Sequence, residues 1–215
     1  VNQFLAFPLE YIPYVAITLI IAFTLHEFAH AFVAYKFGDE TAKKQGRLTL
    51  SPLSHLDPLG TILLLVVGFG WAKPVPVNRF FFKNPRLAGV LVSIAGPLSN
   101  LLLAFLGVLG WFLVLRFGLD TEPIYTFFNL FITINLVLFL FNLLPFPPLD
   151  GYRIIEDLVP NTVRAKMTQY ESWGILLFLV LIITPLDRYI IAPIYDIGIP
   201  FFVELFQQLL GPLLT

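Results

Sequence analysis

Thr24-Leu25-His26-Glu27-Phe28-Ala29-His30-Ala31-Phe32 is the stretch that decides how this chain is read. Two histidines stand four residues apart, with a glutamate directly after the first. On a helix, residues i and i+4 share a face, so His26 and His30 can present their imidazoles to one metal ion. Glu27 falls about 100° around the helix from His26, in reach of water at that ion without being a ligand. The H-E-x-x-H arrangement pairs a zinc ion that activates water with a glutamate acting as general base. Its setting is apolar: Tyr11 to Leu25 carries no charge, and the apolar character continues to Phe37. In a soluble helix the same pattern could be a chance polar face. In an apolar span a buried carboxylate costs at least about 2.5–3.5 kcal/mol, so three ionisable groups within five positions mark a functional site.

Composition extends the membrane reading to the whole chain. Of 215 residues, 58% are hydrophobic and 13% charged, and the mean hydropathy is +0.84. Soluble domains average about 45–50% apolar and about 25% charged, so the pattern is that of a multi-span membrane protein. There is no cysteine, which excludes disulfides and leaves His, Asp or Glu to hold any metal. A net charge of −1 gives no reason to expect nucleic acid. The first apolar run has no basic residues before it and no small-residue cleavage site after it, and is expected to be a retained span.

Working outward, the first span is expected over about Tyr11 to Phe37, with Pro13 in its first turn and Gly38 as its stop. Asp39 to Arg47 reads as an aqueous loop, and Leu48 to Asp57 as a polar, proline-punctuated one. Leu59 to Phe69 is only about a dozen residues long, short for a span and suited to a re-entrant or interfacial segment. Trp71-Ala72-Lys73-Pro74-Val75-Pro76-Val77-Asn78 is extended by composition, because each proline biases its predecessor toward β or polyproline geometry. Pro74 and Pro76 lack the N–H of a central strand, so the segment can only be an edge. A second span covers about Leu87 to Leu115 and contains Gly96-Pro97-Leu98-Ser99-Asn100. A third covers about Ile124 to Leu144, with Asn135 and Asn142, and breaks at Pro145-Phe146-Pro147-Pro148-Leu149-Asp150-Gly151. Residues 152–172 are polar, Trp173 to Leu186 is apolar, and Ile194 to Leu210 is more amphipathic. The expectation is an all-α polytopic membrane protein of one domain, 1–215. A three-helix catalytic core over about 11–151 is followed by accessory helices over about 172–214, with a small re-entrant or β-edge segment.

Charge orients it. If residues 59–70 dip in and return, Lys43, Lys44, Arg47, Lys73, Arg79, Lys83 and Arg86 share a side with Arg153, Arg164 and Lys166, while residues 1–10 and 116–122, on the other side, contribute Arg116 alone. The positive-inside rule then places that side in the cytoplasm of a multi-pass protein of the cell membrane, and the active site opens toward it.

A catalytic zinc usually has three protein ligands and water, so His26 and His30 need a third. The candidates are His55 and a carboxylate. Asp150 is preferred, since prolines unravel the helix before it and Gly151 frees the backbone beside it; alone, Leu-Asp-Gly would pass for an ordinary helix cap. His55 is assigned a supporting role, its plain alternative being a loop histidine bonded to Asp57, itself a turn former before Pro58. Asn100 and Asn142 either make interhelical hydrogen bonds, worth roughly 0.6 kcal/mol, or stabilise an oxyanion or hold substrate. Val75 and Val77 lie on an edge to which an unwound peptide can add as a strand, the alternative being an interfacial loop.

The chain resembles the site-2 protease family of intramembrane zinc metalloproteases. The resemblance rests on His26-Glu27-Phe28-Ala29-His30, on Gly96-Pro97-Leu98-Ser99-Asn100, and on Asn142 to Gly151, which matches the family's N-x-x-P-x-P-x-L-D-G motif. It implies that His26, His30 and Asp150 bind Zn²⁺, that Glu27 is the base, and that Asn142 lies near substrate. Ser51 to Gly60 and Gly70 to Asn78 look like a compact prokaryotic branch, and nothing resembles the PDZ or CBS domains of others. The expected activity is hydrolysis of peptide bonds in or near transmembrane helices of membrane-protein substrates in the bilayer; self-association is left open. The rival is a metal transporter or a non-catalytic metal-binding membrane scaffold, which would need the ligands but not a base beside them.

Overall fold

The computed structural model describes residues 7–67 and 70–214. The first six residues of the expected lead-in, and residues 68–69 at the end of the expected re-entrant segment, lie outside the described residues. α1 (Ile12–Lys36) takes Pro13 into its first turn, where a missing N–H leaves no helix bond unmade. It ends at Gly38, whose φ of +103° lets the Gly38 and Asp39 amides turn back to the carbonyls of Tyr35 and Ala34, each at 3.0 Å. A short α2 (Thr41–Lys44) follows.

α3 (Pro58–Val67) is ten residues, about 15 Å of rise against a ~30 Å hydrocarbon core. Asp57 caps it, its Oδ1 accepting the Gly60 N–H at 2.8 Å. The chain then comes back to where it entered. Leu56 forms an antiparallel bridge with Ala72, and the Lys73 N–H donates to the His55 carbonyl at 2.8 Å. A Cβ at Gly60 would overlap the Trp71 carbonyl, so glycine is what allows this return. This return is the geometry that a re-entrant segment requires. Among the described residues the β-edge amounts to that one bridge, after which 73–78 runs without a ladder.

α4 (Pro85–Arg116) and α5 (Glu122–Asn142) are the long central helices. α6 (Asp150–Leu158) and α7 (Asn161–Ile183) come next, then α8 (Asp187–Ile190) and α9 (Ala192–Leu214). The polar stretch 152–172 is thus helical, and α7 starts well before the apolar run at Trp173. Hydropathy registers lipid contact, not helix formation; Arg164, Ala165, Lys166, Met167, Gln169 and Glu171 are good helix formers, with Pro160 placed just before them. Among the described residues, four helices are long and apolar enough to cross a membrane: Leu9–Lys36, Pro85–Arg116, Glu122–Asn142 and Asn161–Ile183.

The packing is polar inside and apolar outside around the site. Leu98, Leu102 and Leu106 face outward from α4, while His26, Glu27, His30, Asn100 and Asn135 are buried. Gly107 and Gly110 bring α4 close to α5, since a Cβ there would come within 2.8 Å of Ile132 and 2.6 Å of Phe128; small residues serve this purpose where lipid supplies no hydrophobic drive. α9 closes the far side through Phe206 and Leu210 against Ala104, Val108 and Leu136. α7 covers the α5–α6 junction through Phe178 and Leu181 against Leu144 and Leu149.

Re-entry has a direct test. Cysteines introduced at Thr41 and Asn78 should be labelled by a membrane-impermeant thiol reagent from the same face of the membrane, and one at Thr121 from the opposite face. Labelling of positions 41 and 78 from opposite faces would mean that α3 crosses.

Candidate active site

Three ligand atoms meet where α1, α4 and α6 touch. His26, His30 and Asp150 each offer one atom, all within 4.8 Å of one another. The two Nε2 atoms are 3.0 Å apart, and Asp150 Oδ2 lies 3.2 Å from His26 Nε2 and 3.3 Å from His30 Nε2. Their neighbours fix the tautomers. The Asn100 Nδ2 donates to Asn135 Oδ1 at 3.1 Å and to the Ala22 carbonyl at 3.4 Å, so Oδ1 is the atom facing His26, and His26 Nδ1 donates to it at 2.7 Å. His30 Nδ1 donates to the Val92 carbonyl at 2.7 Å, an oxygen that can only accept. With both Nδ1 atoms donating, Nε2 is the nitrogen that each imidazole turns toward the carboxylate, and in the neutral ring it carries the lone pair a metal needs.

With both rings neutral, three lone pairs within 3.3 Å repel unless a metal ion or a proton lies among them. Among the described residues, buried Asp150 Oδ2 has no hydrogen-bond partner. Zinc bonds of about 2.0–2.2 Å in tetrahedral array hold ligand atoms about 3.3–3.5 Å apart, close to the spacing seen. Gly96 leaves the room: a Cβ there would overlap both Nε2 atoms. The donor set, two imidazoles each held by a second partner and a carboxylate, suits zinc.

The local sequence explains how Asp150 arrives. α5 stops at Asn142, and the proline-rich link returns the chain so that Asp150 opens α6. A Cβ at Gly151 would overlap the Leu143 carbonyl and come within 2.6 Å of the Leu144 carbonyl, so glycine lets α6 begin directly against the broken end of α5.

Glu27 is buried, and its Oε2 accepts the Val75 N–H at 2.8 Å. Between Pro74 and Pro76 this is the only amide hydrogen available. The segment around it is held at both ends by buried charges. Arg47 donates to the Lys73 carbonyl and Asp39 accepts the Asn78 N–H, both at 2.6 Å. Among the described residues no hydrogen bond reaches the carbonyls of Pro74, Val75 and Pro76 or leaves the Val77 N–H. That is an open edge beside the glutamate.

The remaining candidates separate. His55 is fully buried away from the three ligand atoms. Its Nε2 donates to the Thr49 carbonyl at 2.7 Å, not to Asp57, whose Oδ1 is engaged at Gly60. Asn142 donates back to the Leu138 carbonyl at 2.9 Å. Asn100 has its amide engaged on His26, Asn135 and Ala22, the interhelical option of the two that the sequence offered. The reading of the sequence missed Asn135, which passes the line on to the Phe131 carbonyl at 2.8 Å, and the Val92 carbonyl, which carries no side-chain signal.

The fold and this cluster together define a polytopic membrane protein with a metal-ligand group between its helices. The family described as Peptidase family M50 matches residues 119–184. Over 99% of its length the chain is 61% identical to "Putative zinc metalloprotease YwhC" of Bacillus subtilis (strain 168), all of which is covered. It is 34% identical to "Putative zinc metalloprotease Rip2" of Mycolicibacterium smegmatis, over 87% of this chain and 75% of that one. It is 33% identical to "Putative zinc metalloprotease MJ0611" of Methanocaldococcus jannaschii, over 62% and 64%. No solved structure matches. The chain belongs to peptidase family M50, the site-2 protease family.

Replacing Gly96 with Ala should push the imidazoles apart, and Asn100→Leu should release the His26 tautomer. Loss of such supporting contacts typically weakens metal binding by about 10–100-fold. Zinc analysis of the purified variants against chelator competition checks this; wild-type affinity in both would show that neither residue shapes the cluster.

Proposed function

We propose that this chain is a zinc metalloendopeptidase that hydrolyses peptide bonds in or near the transmembrane helices of other membrane proteins. The observation that carries the proposal is the meeting of three metal-ligand atoms beside a buried glutamate, inside apolar helices. His26, His30 and Asp150 hold the zinc. When bound, zinc supplies a Lewis acid that acidifies water and polarises a carbonyl. Asn100 and the Val92 carbonyl keep both imidazoles in the tautomer that binds it.

Glu27 is the general base. It takes a proton from the attacking water as the new C–O bond forms, and delivers it to the amine nitrogen as the C–N bond breaks. With Oε2 on the Val75 amide, Oε1 remains to carry that proton. A transporter would have no use for a carboxylate oriented in this way, which favours hydrolysis.

A helical substrate hides its amides, so it unwinds before attack. The segment 72–78 receives it: free carbonyls at Pro74 and Pro76 accept amides that have lost their helix bonds, and Val75 and Val77 set the register. Asn142, with an Oδ1 that receives no hydrogen bond among the described residues, lies near the path of the chain. The site opens to the cytoplasm. In support, Arg47, Arg79, Arg86, Arg153 and Arg164 bond around the ends of these elements, with Arg116 at the far end of α4, the asymmetry of the positive-inside rule.

Glu27→Gln should keep zinc at one per chain and lower the turnover of a membrane-spanning peptide by about 10²–10⁴-fold. Zinc retained with wild-type turnover would remove Glu27 from the mechanism. Replacing residues 74–77 with Gly-Ser-Gly-Ser should lower cleavage of the same peptide while leaving zinc content unchanged, measured on the same preparations; unaltered cleavage would dismiss the edge as the substrate's seat.

A further inference from the structure

Away from the ligands, the same two helices meet a second time. Asp157 follows Asp150 by seven residues on α6, two turns and about 20° of rotation, so both side chains leave the same face. On α4, Gly89 precedes Gly96 by the same seven residues. Gly96 lies against the imidazoles that Asp150 meets, and a Cβ at Gly89 would overlap Asp157 Oδ2. The helices therefore run antiparallel, with two notches in one register: Gly96 with Asp150 across the histidines, and Gly89 with Asp157.

The second notch is held by charge. The Asp157 side chain is fully buried, and its Oδ1 accepts from Arg79 at 2.6 Å, with Arg164 at 3.5 Å. Its Oδ2 has no hydrogen-bond partner among the described residues. Burial raises its carboxyl above the usual range, against the pull of Arg79 and Arg164. Next to it, Glu156 bonds Arg153 at 3.1 Å and Thr168 at 2.9 Å, and Arg153 reaches Glu171 on α7. Arg79 ends the segment that starts at Ala72 and rests on Glu27 through Val75. One ion pair thus joins the seat of that segment to the helix that carries Asp150.

We propose that Arg79 and Asp157 are positioning residues for the metal centre: seated in the Gly89 notch, their ion pair sets the register of α6 on α4 and so fixes where Asp150 stands beside His26 and His30. This rests on the reading of those three residues as zinc ligands. Without the pair, α6 is free to slide along α4, and a displacement at Asp157 is carried through one rigid helix to Asp150.

The test is zinc affinity of the full chain in detergent, by competition with a chelator, on protein whose helix content and elution volume match wild type. Arg79→Gln and Gly89→Ala should each weaken zinc binding by about tenfold or more, and Arg79→Lys should recover part of the loss. Arg86→Gln removes a comparable arginine bond, from α4 to Asn161 at 2.8 Å, but leaves α6 alone and should bind as wild type. A pair that merely added stability would lower the melting temperature and leave the affinity of folded protein unchanged in Arg79→Gln and Gly89→Ala; that result overturns the proposal. An equal loss in Arg86→Gln would also overturn it. A wild-type protein that binds no zinc would remove the ligand reading, and the proposal with it.

Discussion

The structure depends on three lone pairs that face one another at 3.0–3.3 Å inside a membrane protein. Two neutral imidazoles and a carboxylate cannot stay so close in a low-dielectric interior without a positive charge between them. Each histidine is held in the tautomer that creates the problem: Asn100 takes one Nδ1 proton and the Val92 carbonyl the other. Binding a cation is what makes the arrangement favourable. The glycines, the broken helix before Asp150 and the polar line through Asn135 all follow from the need to bring these atoms together.

α4 is the element that meets this need. Gly89, Val92, Gly96 and Asn100 recur every three or four residues, so they form one stripe on its surface. Along that stripe the helix touches Asp157, His30, both imidazoles and finally His26. A single rigid helix thus locates ligands from two other elements, as a site built on regular structure requires. The proposed base is located differently. Glu27 is held by an amide from a proline-flanked segment whose own ends are tied to Arg47 and Asp39, so the part of the molecule that we propose a substrate approaches also touches the proposed catalytic carboxylate.

What was legible in the sequence was local or governed by a counting rule. His26, Glu27 and His30 are related by one helical turn, so spacing alone puts the histidines on one face. Asp150 follows from the demand for a third ligand and from the prolines before it. The short α3 was legible because length against bilayer thickness is arithmetic. Partners across helices were not. Nothing near Asn100 says that it will meet His26 and not a substrate, because that depends on the register of α4 on α1. Gly96 looks like a weak point in a helix; its reason is the space that two imidazoles need. The start of α7 was hidden because hydropathy does not see a helix that has left the lipid. Gly89 and Asp157 each sit seven residues from a site residue, a spacing that acquires meaning only once α4 and α6 are known to be antiparallel.

Whether one zinc ion sits among His26, His30 and Asp150 is measured by X-ray absorption at the zinc edge of the purified protein. The expected spectrum is that of a four-coordinate ion with two imidazole nitrogens at about 2.0–2.1 Å and oxygen ligands at about 2.0–2.2 Å completing the shell. A shell with three imidazoles would bring in His55 and overturn this ligand set, as would six oxygen ligands with no imidazole.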